Sequence, residues 1–353
     1  MMAQSRKIGL VGLPYDANSS FMPGPRLAPA RIREALHSTS WNLTTERGVD
    51  LGACGWTDHG DLRLEEMTAT DARDAIEAKI AEIIDRGGSV MALGGDHSVS
   101  FPSIKAHAER YPGLNVLHLD AHPDLYHSLL DNPLSHASPF ARAMETGLVK
   151  RLVQVGIRTL NAHQTAQAEK FGVEIVTMAD FGADTRIAFD GPVYLSLDLD
   201  VLDPAFAPGV SHFEPGGLSS REVIRIIHGF KGKLVGADVV ELNPYRDPIG
   251  MTAAVAGKMV KELMGRMTED GALQATAAAG LPEAGRDQAG TLSEDAHRQL
   301  LQHRPPQPSR MTTGFTHNYH SKGGWPLYRL TKPFHRGRHD GTVKEDRASR
   351  PAL

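Results

Sequence analysis

Three short stretches, Gly94-Gly95-Asp96-His97-Ser98, Asp120-Ala121-His122-Pro123-Asp124 and Asp198-Leu199-Asp200, each follow an apolar run of strand character. The paired glycines permit a tight turn that leaves His97 projecting from the end of its strand. In an extended chain side chains alternate, so Asp120, His122 and Asp124 are expected to share one face, as are Asp198 and Asp200. Taken singly, a strand-end Asp is ordinarily a cap or turn residue and a lone His a satisfied polar group. Taken together, four carboxylates at the ends of apolar strands repel one another and lose hydration unless cations neutralise them. Four Asp and two His carry a formal −4, which two divalent ions cancel. Hard carboxylates outnumber imidazoles and no thiolate accompanies them, which favours Mn²⁺ over Zn²⁺ or copper and leaves Ni²⁺, Co²⁺ and Fe²⁺ compatible. Two such ions about 3.5–4 Å apart share a water, lower its pKa toward neutrality and generate hydroxide as nucleophile. The chemistry implied is hydrolysis.

These stretches need a scaffold that brings several strand ends together. Up to about residue 268, β-rich runs alternate with segments of helical period, the pattern of repeated βα units and a parallel sheet covered on both faces. Expected strands are Lys7–Leu13, Ser89–Leu93, Leu114–Leu119, Arg151–Gly156, Val173–Thr177, Val193–Leu197 and Lys233–Val240. Helical patterns include Ala28–Leu36, Asp71–Asp85, Phe101–Tyr111, Ser138–Thr146, Ser220–Gly229 and Thr252–Met267. In open α/β sheets ligands bind at the carboxyl edge, where all three stretches fall.

The 353 residues suffice for one large domain, and residues 304–353 carry a local +7 that leaves 1–303 at −11. An acidic body argues against nucleic acid as the principal ligand. No apolar run approaches the roughly 18 residues of a membrane span and no signal peptide is evident, so a cytoplasmic location is expected. The single cysteine, Cys54, cannot form an internal disulfide and is read as a buried small residue. Residues 1–268 are assigned to the catalytic domain. Residues 269–353, rich in Ala, Gly, Pro, His and Arg, are read as a linker and basic irregular tail, with a short helix near Glu294–Gln302. Phe315, Tyr319, Trp325, Tyr328 and Phe334 could anchor that tail on a partner subunit.

Gly94–Ser98, Asp120–Asp124 and Ser196–Gly217 (SLDLDVLDPAFAPGVSHFEPGG) resemble the three signatures of the ureohydrolases, the arginase and agmatinase superfamily. The likeness runs from about Lys7 to Met267, and Asn18–Phe21, Pro23–Arg33, Ser135–Met144 and Ala237–Ala254 are similar to plant-type arginases. The resemblance implies a three-layer α/β/α fold around an eight-stranded parallel sheet, homo-trimers or homo-hexamers, and a two-manganese site. Carried over residue by residue, it places His97, Asp120, Asp124 and Asp198 on one metal and Asp120, His122, Asp198 and Asp200 on the other. Asp120 and Asp198 would be the bridges, and Asp124 would also orient the hydroxide. It further implies that Glu241 holds the substrate guanidinium through charge-assisted hydrogen bonds and that His136 protonates the leaving amine.

The arginase-type reaction, L-arginine to L-ornithine and urea, stands first. Arginases commonly carry an acidic residue in the loop after the Gly-Ile-Arg strand to read the substrate's amino group, whereas Gly156-Ile157-Arg158-Thr159-Leu160-Asn161-Ala162-His163 has none. His127 beside the metal motif is a second departure. Agmatine, guanidinobutyrate and small or alkylated guanidines therefore remain alternatives. A binuclear phosphoesterase also uses D-x-H motifs, but its later Gly-Asn-His-Asp or Gly-Asn-His-Glu pattern is absent and Glu241 would repel a phosphate. From another class, the chain could be a metal-containing regulatory or assembly subunit working beside a paralogue.

Overall fold

The computed structural model describes residues 7–278. Along the chain run β1 (Ile8–Leu13), α1 (Ala28–Leu36), β2 (Thr57–Asp61), α2 (Ala69–Asp85), β3 (Ser89–Gly94), α3 (Ser100–Arg110), β4 (Asn115–Leu119) and α4 (Pro139–Glu145). Then follow β5 (Arg151–Ile157), α5 (Ala162–Phe171), β6 (Glu174–Thr177), β7 (Ala188–Asp198), α6 (Ser220–Gly229), β8 (Lys231–Val240) and α7 (Met251–Ala278).

The eight strands form one parallel sheet in the order β2-β1-β3-β8-β7-β4-β5-β6. Alternate side chains of the central strands feed two apolar layers. Leu10, Met91, Leu93, Leu117, Leu195, Leu197 and Val239 pack with Ile32 of α1, Ile227 of α6 and Met259 and Leu263 of α7. On the opposite face Val11, Val90 and Ala92 meet Ile76, Ile80 and Ile83 of α2, while Val116, Tyr194 and Val235 meet Ile104 of α3 and Phe140 of α4. The result is a three-layer α/β/α architecture, as the resemblance implied.

Local chemistry sets the helix ends. Thr68 caps α2 by accepting from Asp71 N, and Asn161 caps α5 by accepting from Gln164 N. Ser219 and Glu222 form a reciprocal capping box at α6, whose buried side is Val223, Ile224, Ile226 and Ile227. Gly172, at φ 65°, closes α5 in the left-handed conformation that a side chain would strain.

The sequence expectations hold for α1 and α6 to the residue and for the seven expected strands to within a few residues, apart from the longer start of β7. β2 was not among them. Its Thr-Asp-His-Gly-Asp is polar and largely exposed, because an edge strand paired only to β1 has no second apolar face to fill. Cys54, expected to be buried, is half-buried in a turn, where its thiol donates to Asp50 O.

The expected boundary at residue 268 falls inside α7, which continues to Ala278. Asp270 explains part of this extension: it is buried, accepts from Leu234 N of β8 at 2.9 Å and pairs with Arg266 at 3.0 Å. The Arg266 guanidinium also donates to the carbonyls of Ile227, Phe230 and Gly232. Asp270→Ala strands a buried N–H and a buried cation together, so a loss of about 1–3 kcal/mol is expected in denaturant unfolding. A chain ending at Ala278 should keep wild-type stability, and one ending at Glu269 should show the same loss as Asp270→Ala. The expected short helix near Glu294–Gln302 and the aromatic residues of the tail lie outside the described residues.

Candidate active site at the carboxyl edge of the sheet

β4 follows β3 in the chain but lies three places away, because β8 and β7 occupy the positions between them. The carboxyl ends of four adjacent strands, β3, β8, β7 and β4, thus converge at the reversal of strand order, where α/β sheets bind ligands. Past β3, Gly95 lets the chain cross closely over the loop after β1; a Cβ there would stand 2.1 Å from Tyr15 O. Asp96 then caps a 3₁₀ turn, His97–Val99, and His97 is wholly buried. Past β4, Ala121 N donates to Asp200 Oδ1, tying that loop to the one after β7. Asp198, the last residue of β7, caps the 3₁₀ turn Leu199–Val201 by accepting from Asp200 N at 2.8 Å.

All six sequence-selected residues meet here, but not on extended faces. The backbone leaves β4 before Asp120 and turns into the left-handed region at Asp124 (φ 48°), and Asp200 sits in the 3₁₀ turn. Turns, rather than strand alternation, aim these groups. His97 Nδ1 lies 3.1 Å from Asp120 Oδ2, 3.1 Å from Asp124 Oδ2 and 3.1 Å from Asp198 Oδ2. His122 Nδ1 lies 3.0 Å from Asp200 Oδ2 and 3.4 Å from Asp120 Oδ1. Asp120 therefore offers one oxygen to each group.

The electrostatics are those of a cation site. His97 Nδ1, although buried, makes no hydrogen bond, yet three carboxylate oxygens crowd it. Burial pushes Asp198 well above the ordinary carboxylate range, and the charges of Asp200 and Asp120 push it further. Burial, and then Asp120, raise Asp200 to about 6. Burial acts against Asp120 too, but the imidazoles of His118, His122 and His97 hold it well below its usual value. Ligand atoms at about 2.1 Å from a common centre and at right angles to one another stand about 3 Å apart, which matches the spacing around His97 Nδ1. The residues present fit a pair of divalent ions.

His118 also lies within reach of Asp120 and His97. Its Nε2 is 2.8 Å from Asp120 Oδ2, its Nδ1 is 3.0 Å from the Gln154 amide nitrogen, and its ring stacks on Phe140. With both nitrogens engaged, it props Asp120 rather than opening to the cavity.

A cavity of about 200 Å³ stands over these groups. Glu241, just past β8, has φ 65° and is nearly buried; its Oε1 accepts from His97 N at 2.8 Å and lies 2.9 Å from His136 Nδ1. His136 Nε2 in turn lies 2.8 Å from Ser20 Oγ and 3.2 Å from Ser20 N. Burial disfavours the charged His136, but Glu241 beside it outweighs that and lifts the imidazole to about 9. Two of the site's residues, Asp124 and Glu241, thus hold backbone conformations that non-glycine residues rarely adopt, a strain that surrounding bonds must enforce.

Sequence reading did not single out Ser20, Tyr126, His212 and Glu214 as cavity-wall residues. Ser20 falls within Asn18–Phe21, and His212 and Glu214 within Ser196–Gly217, so resemblance pointed at their segments but no spacing pointed at the residues. His127 stands largely outside the cavity wall: its backbone N–H meets His163 Nε2, while Tyr126 stacks on His163 and accepts from Asn161. From the loop after β5, Thr159 reaches the cavity and no carboxylate does.

A family model described as Arginase family matches residues 6–265. The chain belongs to the arginase family. It is 45% identical over 276 residues to Arginase 1, mitochondrial, of Arabidopsis thaliana, covering 74% of this chain and 81% of that one. It is 33% identical over 268 residues to an agmatinase of Bacillus anthracis, covering 74% and 92%. The solved arginase from Medicago truncatula superposes with a TM-score of 0.71 at 42% identity, over 74% of this chain and 88% of that one. Membership makes this protein a hydrolase of C–N bonds in linear amidines. Arginase-family enzymes depend on two metal ions, and the His and Asp clusters here are able to bind metal. Among the described residues no helix is long and apolar enough to cross a membrane.

Proposed function

We propose that this chain carries two divalent ions, Mn²⁺ first and Ni²⁺ next, and hydrolyses a guanidino compound to urea and an amine. L-Arginine is the first substrate to test, giving L-ornithine and urea. The observation that carries this reading is the pairing, across one cavity, of the three carboxylates around His97 Nδ1 with the Glu241–His136 pair. In the proposed ligand sets, His97, Asp120, Asp124 and Asp198 hold one ion and Asp120, His122, Asp198 and Asp200 the other. When bound, the ions supply Lewis acidity and a water of lowered pKa.

The protein's own groups do the remaining work. Glu241, anchored through Oε1 by His97 N and His136, accepts hydrogen bonds from the substrate guanidinium and fixes its carbon beside Asp124. Asp124 orients the attacking water. Water adds to that carbon and gives a proton to Asp124, the C–N bond to the alkyl amine breaks, and the amine nitrogen takes a proton from His136, held between Glu241 and Ser20.

One observation favours a second substrate class. The loop after β5 presents Thr159 rather than a carboxylate, so agmatine, guanidinobutyrate or a small or alkylated guanidine stands next to arginine. Glu214, on the cavity wall and 36% exposed, is the carboxylate placed to meet a substrate ammonium if one is read. Urea release from a panel of guanidines, after loading with Mn²⁺ or Ni²⁺, tests the proposal. Turnover of at least one guanidine by the purified chain is expected; activity only after a paralogous subunit is added would favour the regulatory or assembly role. Exposed Phe21, Met22, Phe213 and Tyr245 support association with further copies, as a homo-trimer or homo-hexamer. We also place the protein in the cytoplasm, although the Arabidopsis thaliana relative is named mitochondrial.

A further inference from the structure

One residue layer below the proposed metal centre, the sheet interior is polar where apolar side chains are the rule. Gln154 of β5, His118 of β4, Ser196 of β7 and Asp238 of β8 are in-register neighbours across four adjacent strands, and all four are wholly buried. His118 and Gln154 are accounted for by their support of Asp120. Asp238 touches no proposed ligand and is not used by the mechanism.

Asp238 accepts from two hydroxyls: Ser196 Oγ on Oδ1 at 2.7 Å and Tyr194 Oη on Oδ2 at 2.7 Å. Ser196 Oγ lies 3.0 Å from His97 Nε2. A carboxylate only accepts, so the single Ser196 proton points at Asp238, 2.7 Å away, rather than at the Ser100 hydroxyl, 3.4 Å away, and the serine oxygen must accept from His97. That order of donors places the ring proton of His97 on Nε2 and leaves the Nδ1 lone pair free, facing the three carboxylate oxygens. Burial, and then the Asp238 charge, push the Tyr194 phenol well above its ordinary range, so it remains a donor and cannot compete for the serine's role.

We infer that Asp238, acting through Ser196, is a positioning residue that fixes the tautomer and orientation of His97 and strengthens Nδ1 as a metal ligand. Partners behind a ligating imidazole commonly change metal affinity by about 10–100-fold. The relay serves one ion of the proposed pair, because His97 belongs to only one ligand set; this rests on the metal reading above.

The test is Mn²⁺ titration, by equilibrium dialysis, of chain first stripped with a chelator. Wild type is expected to bind two ions. Ser196→Ala and Asp238→Asn should each weaken one ion by about 10–100-fold and leave the other unchanged, a one-site selectivity that a general loss of stability in the stripped chain would not produce. Ser196→Thr, which keeps the hydroxyl, should recover most of the lost affinity. Unchanged affinity for both ions in Ser196→Ala overturns the inference. So does equal weakening of both ions accompanied by a lower melting temperature of the stripped chain, the mark of a merely loosened core. A wild-type chain that fails to bind two ions would instead overturn the binuclear reading itself.

Discussion

Asp198→Asn and Asp120→Asn are each expected to remove most of the bound metal and to lower turnover on the order of 10³-fold or more. Asp120 faces His97 with one oxygen and His122 with the other, so a neutral amide there weakens both proposed ligand sets at once. Asp198 stands 3.1 Å from His97 Nδ1 and caps the turn that carries Asp200, so its loss also spreads across the pair. The stability of the stripped chain should move the other way. Burial and the neighbouring charges of Asp200 and Asp120 make ionised Asp198 unfavourable without a counter-ion. Stripped Asp198→Asn should therefore melt above stripped wild type, whereas added Mn²⁺ should raise the melting temperature of wild type far more than that of the variant. Two ions per chain and near-normal turnover in Asp198→Asn would sink the binuclear assignment.

Glu241→Gln and His136→Asn should separate binding from proton transfer. Both should retain two ions, since neither residue belongs to the proposed ligand sets. Glu241→Gln removes the charge from the guanidinium contact and should weaken substrate binding about 10–100-fold, the scale of one charge-assisted hydrogen bond. His136→Asn should act chiefly on kcat, by about 10²–10⁴-fold. The two are linked by the 2.9 Å contact between them. Glu241 lifts His136 to about 9, so the charged imidazole is favoured below that pH and lost as the pH rises through it. In Glu241→Gln that support is gone, and NMR titration of the stripped variant should find His136 moved down toward its ordinary value. Loss of metal in both variants would show that these roles are misassigned.

The central strands were readable because a strand buried on both faces is written as a continuous apolar run, and the site because six metal-type ligands cluster directly after such runs. What the sequence could not display is contact made by folding. Ser20 reaches His136 across 116 positions, and the row Gln154, His118, Ser196, Asp238 exists only through the register of four strands. Each of its members looks, in its own strand, like an isolated polar interruption. Asp120, His122 and Asp124 depart from a shared strand face for the opposite reason. Strand alternation ends at Leu119: Asp120 N still bonds to Val155 O, and the chain then turns away toward Asp200. α7 outran its expected end because Asp270 has a buried partner in β8 that no helical periodicity records.

The placement of β8 and β7 between β3 and β4 bears on how the protein matures. During synthesis the first four strands emerge with His97, Asp120, His122 and Asp124 already on the chain, but the centre of their sheet is still missing. Only when β7 and β8 have left the ribosome and inserted can the two halves close, through pairings as distant as Val90 with Gly236 and Asn115 with Val193. Such late, non-local closure is slow and leaves open strand edges exposed in the meantime. The final strands to arrive bring Asp198, Asp200 and Glu241 with them, so a nascent chain cannot assemble its reactive centre before its sheet is whole.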